Sequence, residues 1–194
     1  MKILKRIFRW TMALVLALML GVGSGWWVIA RPLPPMQNGA WSFDPLVGSE
    51  AADPYLRARV AHVALLALNK SEALYYFAVT DDRGERLRCD QTYRVDGHDF
   101  DSRWWSLTIY GADDFLIPTK EERYSFNMTN LKRAETGAWT VYASRAAHDG
   151  NWLPTGDGDT FILALRIFGP TQKMLEHPDA ISLPRIVRQE RSHD

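Results

Sequence analysis

"RWWSLTIYGADDFLIP", residues 103–118, is the stretch on which the reading of the fold turns. Trp105, Leu107 and Ile109 alternate with Trp104, Ser106, Thr108 and Tyr110, and a period of two belongs to a β-strand with one packed face and one polar face. The same period returns twice. Trp139, Val141 and Ala143 alternate with Thr140, Tyr142 and Ser144; Phe161, Leu163, Leu165 and Ile167 alternate with Ile162, Ala164, Arg166 and Phe168. Upstream, "ALYYFAVT" (73–80) is an aromatic, β-favouring run closed by turn chemistry around Gly84 in "DDRGER". "GADD", "NMTN", "AETG", "HDGNWLPTGDGD" and "FGP" read as the turns between strands. With no helices alternating among these runs, the sequence predicts a mainly β fold, an antiparallel, jelly-roll-like β-sandwich.

One helix precedes the strands. In "DPYLRARVAHVALLALNKSEA" (53–73), Asp53 is placed to cap and Pro54 to open a helix, with Leu56, Val60, Val63 and Ala67 on one stripe and an end near Asn69. Before it, "RPLPPMQNGAW" (31–41) carries three prolines and reads as a stiff extended spacer. Earlier still, no charged residue occurs from Trp10 to Ala30, and about twenty apolar residues in a helix cross a bilayer's hydrocarbon core. Lys2, Lys5, Arg6 and Arg9 precede that segment while only Arg31 follows closely, which leaves the N-terminus in the cytoplasm. Trp10, Trp26 and Trp27 fall at interface depths. Two fates stand open: an uncleaved signal anchor, favoured because "WWVIA" brings the run to spanning length, and cleavage after the small residues of "GVGSG". The expected organisation is a cytoplasmic basic segment (1–9), a transmembrane anchor (10–30), a spacer (31–52), a sandwich (53–170) and a polar tail (171–194).

Composition fits this arrangement. Twenty-three basic and 23 acidic side chains cancel, so a strongly basic nucleic-acid surface is not expected. The single cysteine, Cys89, excludes an intramolecular disulfide and reads as a small packed residue.

"LYYFAVTDDRGERL", "WWSLTIYGADDFLIP", "RYSF", "NWLP" and "FILALRIFGP" occur here in an order and spacing that resembles the bacterial domain of unknown function family 1214. The resemblance covers about Asp53 to Pro170. It implies a sandwich of jelly-roll type, often found after a second domain, family 1254, which is not expected in this chain, and it brings no settled activity. Asp113-Asp114 stands where Asp-Gly is usual. Because the resemblance is to bacterial proteins, the sequons at Asn69 and Asn127 read as chance.

No G-x-S-x-G elbow lies beyond the apolar segment. His62, His98, His148, His177 and His193 are scattered, without the H-x-x-x-H spacing of a zinc site. "DGHDFD" (96–101) and "HDGNWLPTGDGD" (148–159) gather carboxylates, but polar hairpin loops use the same residues. No metal and no organic cofactor is expected. More telling are charges within the strands: Arg166 opposite an apolar face, and Arg123 before Tyr124, where a guanidinium can stack on a ring and grip an anion. Trp104 and Trp105 point to opposite faces, so one joins the core and the other is free for a surface role, unless the Asp53 helix covers that face. The candidate ligand-binding residues are Trp104, Trp105, Tyr110, Arg123, Tyr124, Asn151, Trp152 and Arg166. They point to a non-enzymatic, membrane-anchored envelope protein that binds a glycan, a lipid headgroup or another membrane protein. The alternative is an envelope enzyme acting on carbohydrate or a small anionic substrate.

Overall fold

The computed structural model describes residues 2–30, 35–62 and 67–190, without the side chains of Ile29 and His62. Val63 of the predicted helical stripe, and His193, lie outside the described residues. Helices α1 (Lys2–Ala30) and α2 (Pro54–His62) form one compact unit, and the strands form a second. At a rise of about 1.5 Å per residue, the 29-residue α1 is long enough to cross a membrane, with a candidate span from Lys2 to Val28. Asp53 caps α2 as expected, its Oδ1 accepting from the N–H groups of Tyr55 at 2.7 Å and Leu56 at 3.0 Å.

The second unit is two sheets. The first runs β1 (Met36–Asn38), β2 (Trp41–Phe43), β3 (Ala73–Ala78), β9 (Phe161–Pro170), β5 (Ser102–Gly111) and β6 (Ser125–Asn127) in spatial order. The second runs β10 (Arg185–Arg188), β4 (Tyr93–Gly97), β7 (Trp139–Ser144) and β8 (Asn151–Pro154). The predicted alternation is what builds the interior. Trp105, Leu107, Ile109, Val141, Ala143, Phe161, Leu163, Leu165 and Ile167 are all buried between the sheets. Trp105 of the first sheet stacks on Trp139 of the second with ring centroids 5.1 Å apart and planes 22° from parallel.

Several segments differ from the expectation. "NWLP", read within a turn, is β8, and it pairs with β7 in parallel, the exception among the antiparallel pairs of these strands. Its four residues are all buried, so no polar face marks it as a strand in the sequence. The expected spacer supplies β1 and β2, with Trp41 buried and its Nε1–H donating to the Pro184 carbonyl at 2.7 Å. Beyond Pro170 the chain is no tail: α3 (Gln172–Glu176) and a short 3-10 turn lead into β10, whose Ile186 is fully buried. Asp82 anchors β10, accepting from the Ile186 N–H and facing Arg185 across 3.2 Å. The segment 53–62, assigned by sequence to the sandwich, belongs instead with α1.

Candidate functional site

Strand β5 separates the two tryptophans as the pleat requires. Trp105 goes to the core, edge-on to Phe100 at 5.6 Å, and its Nε1–H donates to Asp99 Oδ1 at 3.1 Å. Arg133 clamps the same carboxylate through Nε at 2.9 Å and Nη2 at 3.0 Å. Asp96 accepts from Arg94 Nε at 2.7 Å and Thr140 Oγ1 at 2.8 Å. Two carboxylates of "DGHDFD" are thus engaged in fastening strands. Among the described residues, no three His, Cys, Asp or Glu side chains converge as a metal would require.

Trp104 lies on the outward face of the first sheet, half-buried, its ring 5.3 Å from that of Phe168 on β9. The ladder sets out the rest of that face. Phe168 stands opposite Trp104, Arg166 opposite Ser106 on one side and Tyr75 on the other, and Ile162 opposite Tyr110. Ser106 and Thr108 are buried there despite their hydroxyls. The half-buried Arg166 reaches along the face to donate to Tyr110 Oη at 2.9 Å and Thr108 Oγ1 at 3.4 Å, its guanidinium 5.3 Å from the Tyr110 ring. Both partners are neutral, so they orient the cation without compensating it. No carboxylate of the described residues pairs with it, whereas Arg88, Arg94, Arg103, Arg133, Arg145 and Arg185 each have one.

The other expected residues sit elsewhere. Trp152 is buried in β8, its Nε1–H donating to the Ser144 carbonyl at 3.0 Å, with Arg123 over its ring at 6.0 Å. Asn151 is a buried staple: Oδ1 accepts from the Lys132 N–H, and Nδ2 donates to the Lys132 and Thr140 carbonyls, each at 2.8 Å. The Tyr124 carbonyl accepts from the Ile109 N–H at 2.9 Å. The eight candidates therefore fall in three places: Trp105 in the core, Trp104, Tyr110 and Arg166 on the outward face, and Arg123, Tyr124, Asn151 and Trp152 along the β6 and β8 edges. They do not surround a single pocket.

A cleft that the sequence does not announce opens between the loop after β5 and the loop after β8. Its volume is about 540 Å³, with Leu116, Ile117 and Pro118 against Thr155, Thr160 and Cys89, and Asp113, Asp157 and Asp159 among its lining. Those three carboxylates are exposed to water, and Asp157 faces Arg145 at 3.7 Å. Burial pushes the Cys89 thiol up from its ordinary range, which keeps it protonated and a poor nucleophile. The signal for the cleft was two polar loops, but only the packed sheets bring them together.

A family described as protein of unknown function (DUF1214) matches residues 72–172, just over half of the chain. The chain belongs to that family. The match starts at β3, leaving α2 outside the DUF1214 domain. Two are described among the solved structures similar to this chain. One is the VPA0106 protein from Vibrio parahaemolyticus, 23% identical with a TM-score of 0.60 over 72% of this chain and 36% of that one. The other is an uncharacterized protein from Burkholderia cenocepacia, 18% identical with a TM-score of 0.46 over 61% of this chain and 30% of that one. The first likeness supports the fold. This chain spans roughly a third of the length of both. No curated protein matches it.

Proposed function

We propose that this is a membrane-anchored binding protein of the bacterial envelope, whose DUF1214 sandwich engages its ligand through the outward face of the six-stranded sheet. The observation that carries the reading is the half-buried aromatic pair Trp104 and Phe168, on the same face as Tyr110 and Arg166. Aromatic rings with one wet side stack on sugar rings and apolar groups, while a guanidinium supplies a polar handle. A binding role also accounts for the packed interior, in which Asn151, Trp152 and Asp99 hold strands together. Insertion of α1 with Lys2, Lys5, Arg6 and Arg9 on the cytoplasmic side would put the sandwich outside the plasma membrane.

The test is titration of the full-length protein in zwitterionic nanodiscs with envelope oligosaccharides and soluble lipid headgroups, followed by calorimetry. Binding weakened about tenfold by Trp104→Ala, equivalent to ~1.4 kcal/mol, with ligand recovered unchanged, is the expected result. Chemical conversion of the ligand, or affinity indifferent to Trp104→Ala, would overturn the proposal.

A further inference from the structure

We infer that Arg166 is a preformed oxyanion socket, and that the ligand of the outward face carries a carboxylate or phosphate group. This rests on the reading of that face as the contact surface and names the chemistry it recognises.

A cation drawn partly out of water loses hydration, and a protein normally restores the balance with a carboxylate. Arg166 is half-buried on β9, flanked by β3 and β5, away from the edges of the sheet. Its two hydrogen bonds, to Tyr110 Oη and Thr108 Oγ1, go to neutral hydroxyls, and the Tyr110 ring supplies only a quadrupole. A guanidinium has five N–H donors, so three are left, and they are fixed in a plane that suits two parallel bonds to an oxyanion. The hydroxyls serve a second purpose. By fixing a long, rotamer-rich side chain before any ligand arrives, they remove an ordering cost that binding would otherwise carry. Ser106, opposite Arg166 in the ladder, and Thr108 are buried hydroxyl residues beneath the cation, where a sheet face left to packing alone would carry aliphatic side chains.

A purely structural role for Arg166 makes a different forecast. Its methylene stem would cover the face, and its charge would be incidental. Arg166→Met keeps the stem and removes the charge, so it separates the two.

The experiment uses the full-length protein in zwitterionic nanodiscs, titrated with inorganic phosphate, glucuronate and glucose, and in parallel with discs containing phosphatidylglycerol. Expected are saturable binding of phosphate or glucuronate at least tenfold tighter than glucose, loss of that preference in Arg166→Met, and a thermal midpoint for the variant within a few degrees of wild type. Competition by phosphatidylglycerol discs alone would assign the oxyanion to a lipid headgroup; competition by free glucuronate or phosphate would assign it to a soluble ligand. If glucose binds as well as glucuronate, is weakened by Trp104→Ala and is untouched by Arg166→Met, the contact surface stands and the socket falls. If nothing binds and neither substitution changes any titration, both fall. An Arg166→Met variant that does not fold is replaced by Arg166→Lys, which keeps the charge but loses the planar fork; undiminished anion affinity there would also overturn the socket.

Discussion

Two tryptophans adjacent in the chain meet opposite fates on β5, and their replacement should separate the two kinds of work. Trp105 is fully buried, stacked on Trp139 and bonded to Asp99, so Trp105→Ala opens a cavity and strands a carboxylate–arginine pair. A loss of about 3–5 kcal/mol is expected in denaturant unfolding. Trp104→Ala leaves the interior intact and should cost about 1 kcal/mol or less, its effect appearing in ligand titration instead. A second residue stores strain. Asp114 adopts φ 65°, a left-handed conformation that disfavours a side chain, at the position where the resemblance places glycine. Asp114→Gly should therefore be neutral or stabilising by up to about 1 kcal/mol, read as an upward shift of the thermal midpoint. A clear destabilisation would mean that the Asp114 side chain itself holds the loop.

Strands that span several residues with one buried face declared themselves in the sequence: 104–110, 139–144 and 161–168 each show enough periods for alternation to stand out. The segments that escaped are short. β1, β2 and β6 have three residues each, β8 and β10 four and β4 five, too few for a clear pattern, and their place is dictated by the partner strand rather than by their own composition. Arg166 was visible because a charge interrupts an alternating run. Its lack of a carboxylate, and the cleft lined by Asp113 and Asp159, depend on which loops the fold brings near, which no local pattern encodes. The short β10 is nonetheless a working part of the sandwich. Ile186 sits fully buried opposite Val95, and Ile186→Ala should cost about 2–5 kcal/mol in chemical denaturation, where a loose tail would register nothing measurable.

On the scale of the whole domain, the proton balance predicts alkaline sensitivity. Burial raises the Tyr76 phenol, with Asp179 adding to the shift, and burial likewise raises Tyr93 and the Cys89 thiol. Each group holds its proton more tightly folded than unfolded. Its contribution is therefore complete below the unfolded values, about 8.5 for a thiol and about 10 for a phenol, and is lost as pH rises toward the folded ones. The thermal midpoint should fall steadily from about pH 9 upward, with tyrosinate absorbance from the buried rings appearing together with unfolding; a midpoint level to pH 11 would contradict this. A last consequence follows from the bond between Trp41 and Pro184 and the pairing of β10 with β4. Contacts separated by 143 residues close the sandwich, so during synthesis the sheets stay incomplete until residues 185–188 have emerged. Open strand edges therefore persist through most of synthesis, and the yield should depend on a holding chaperone more than on the stability of the finished fold.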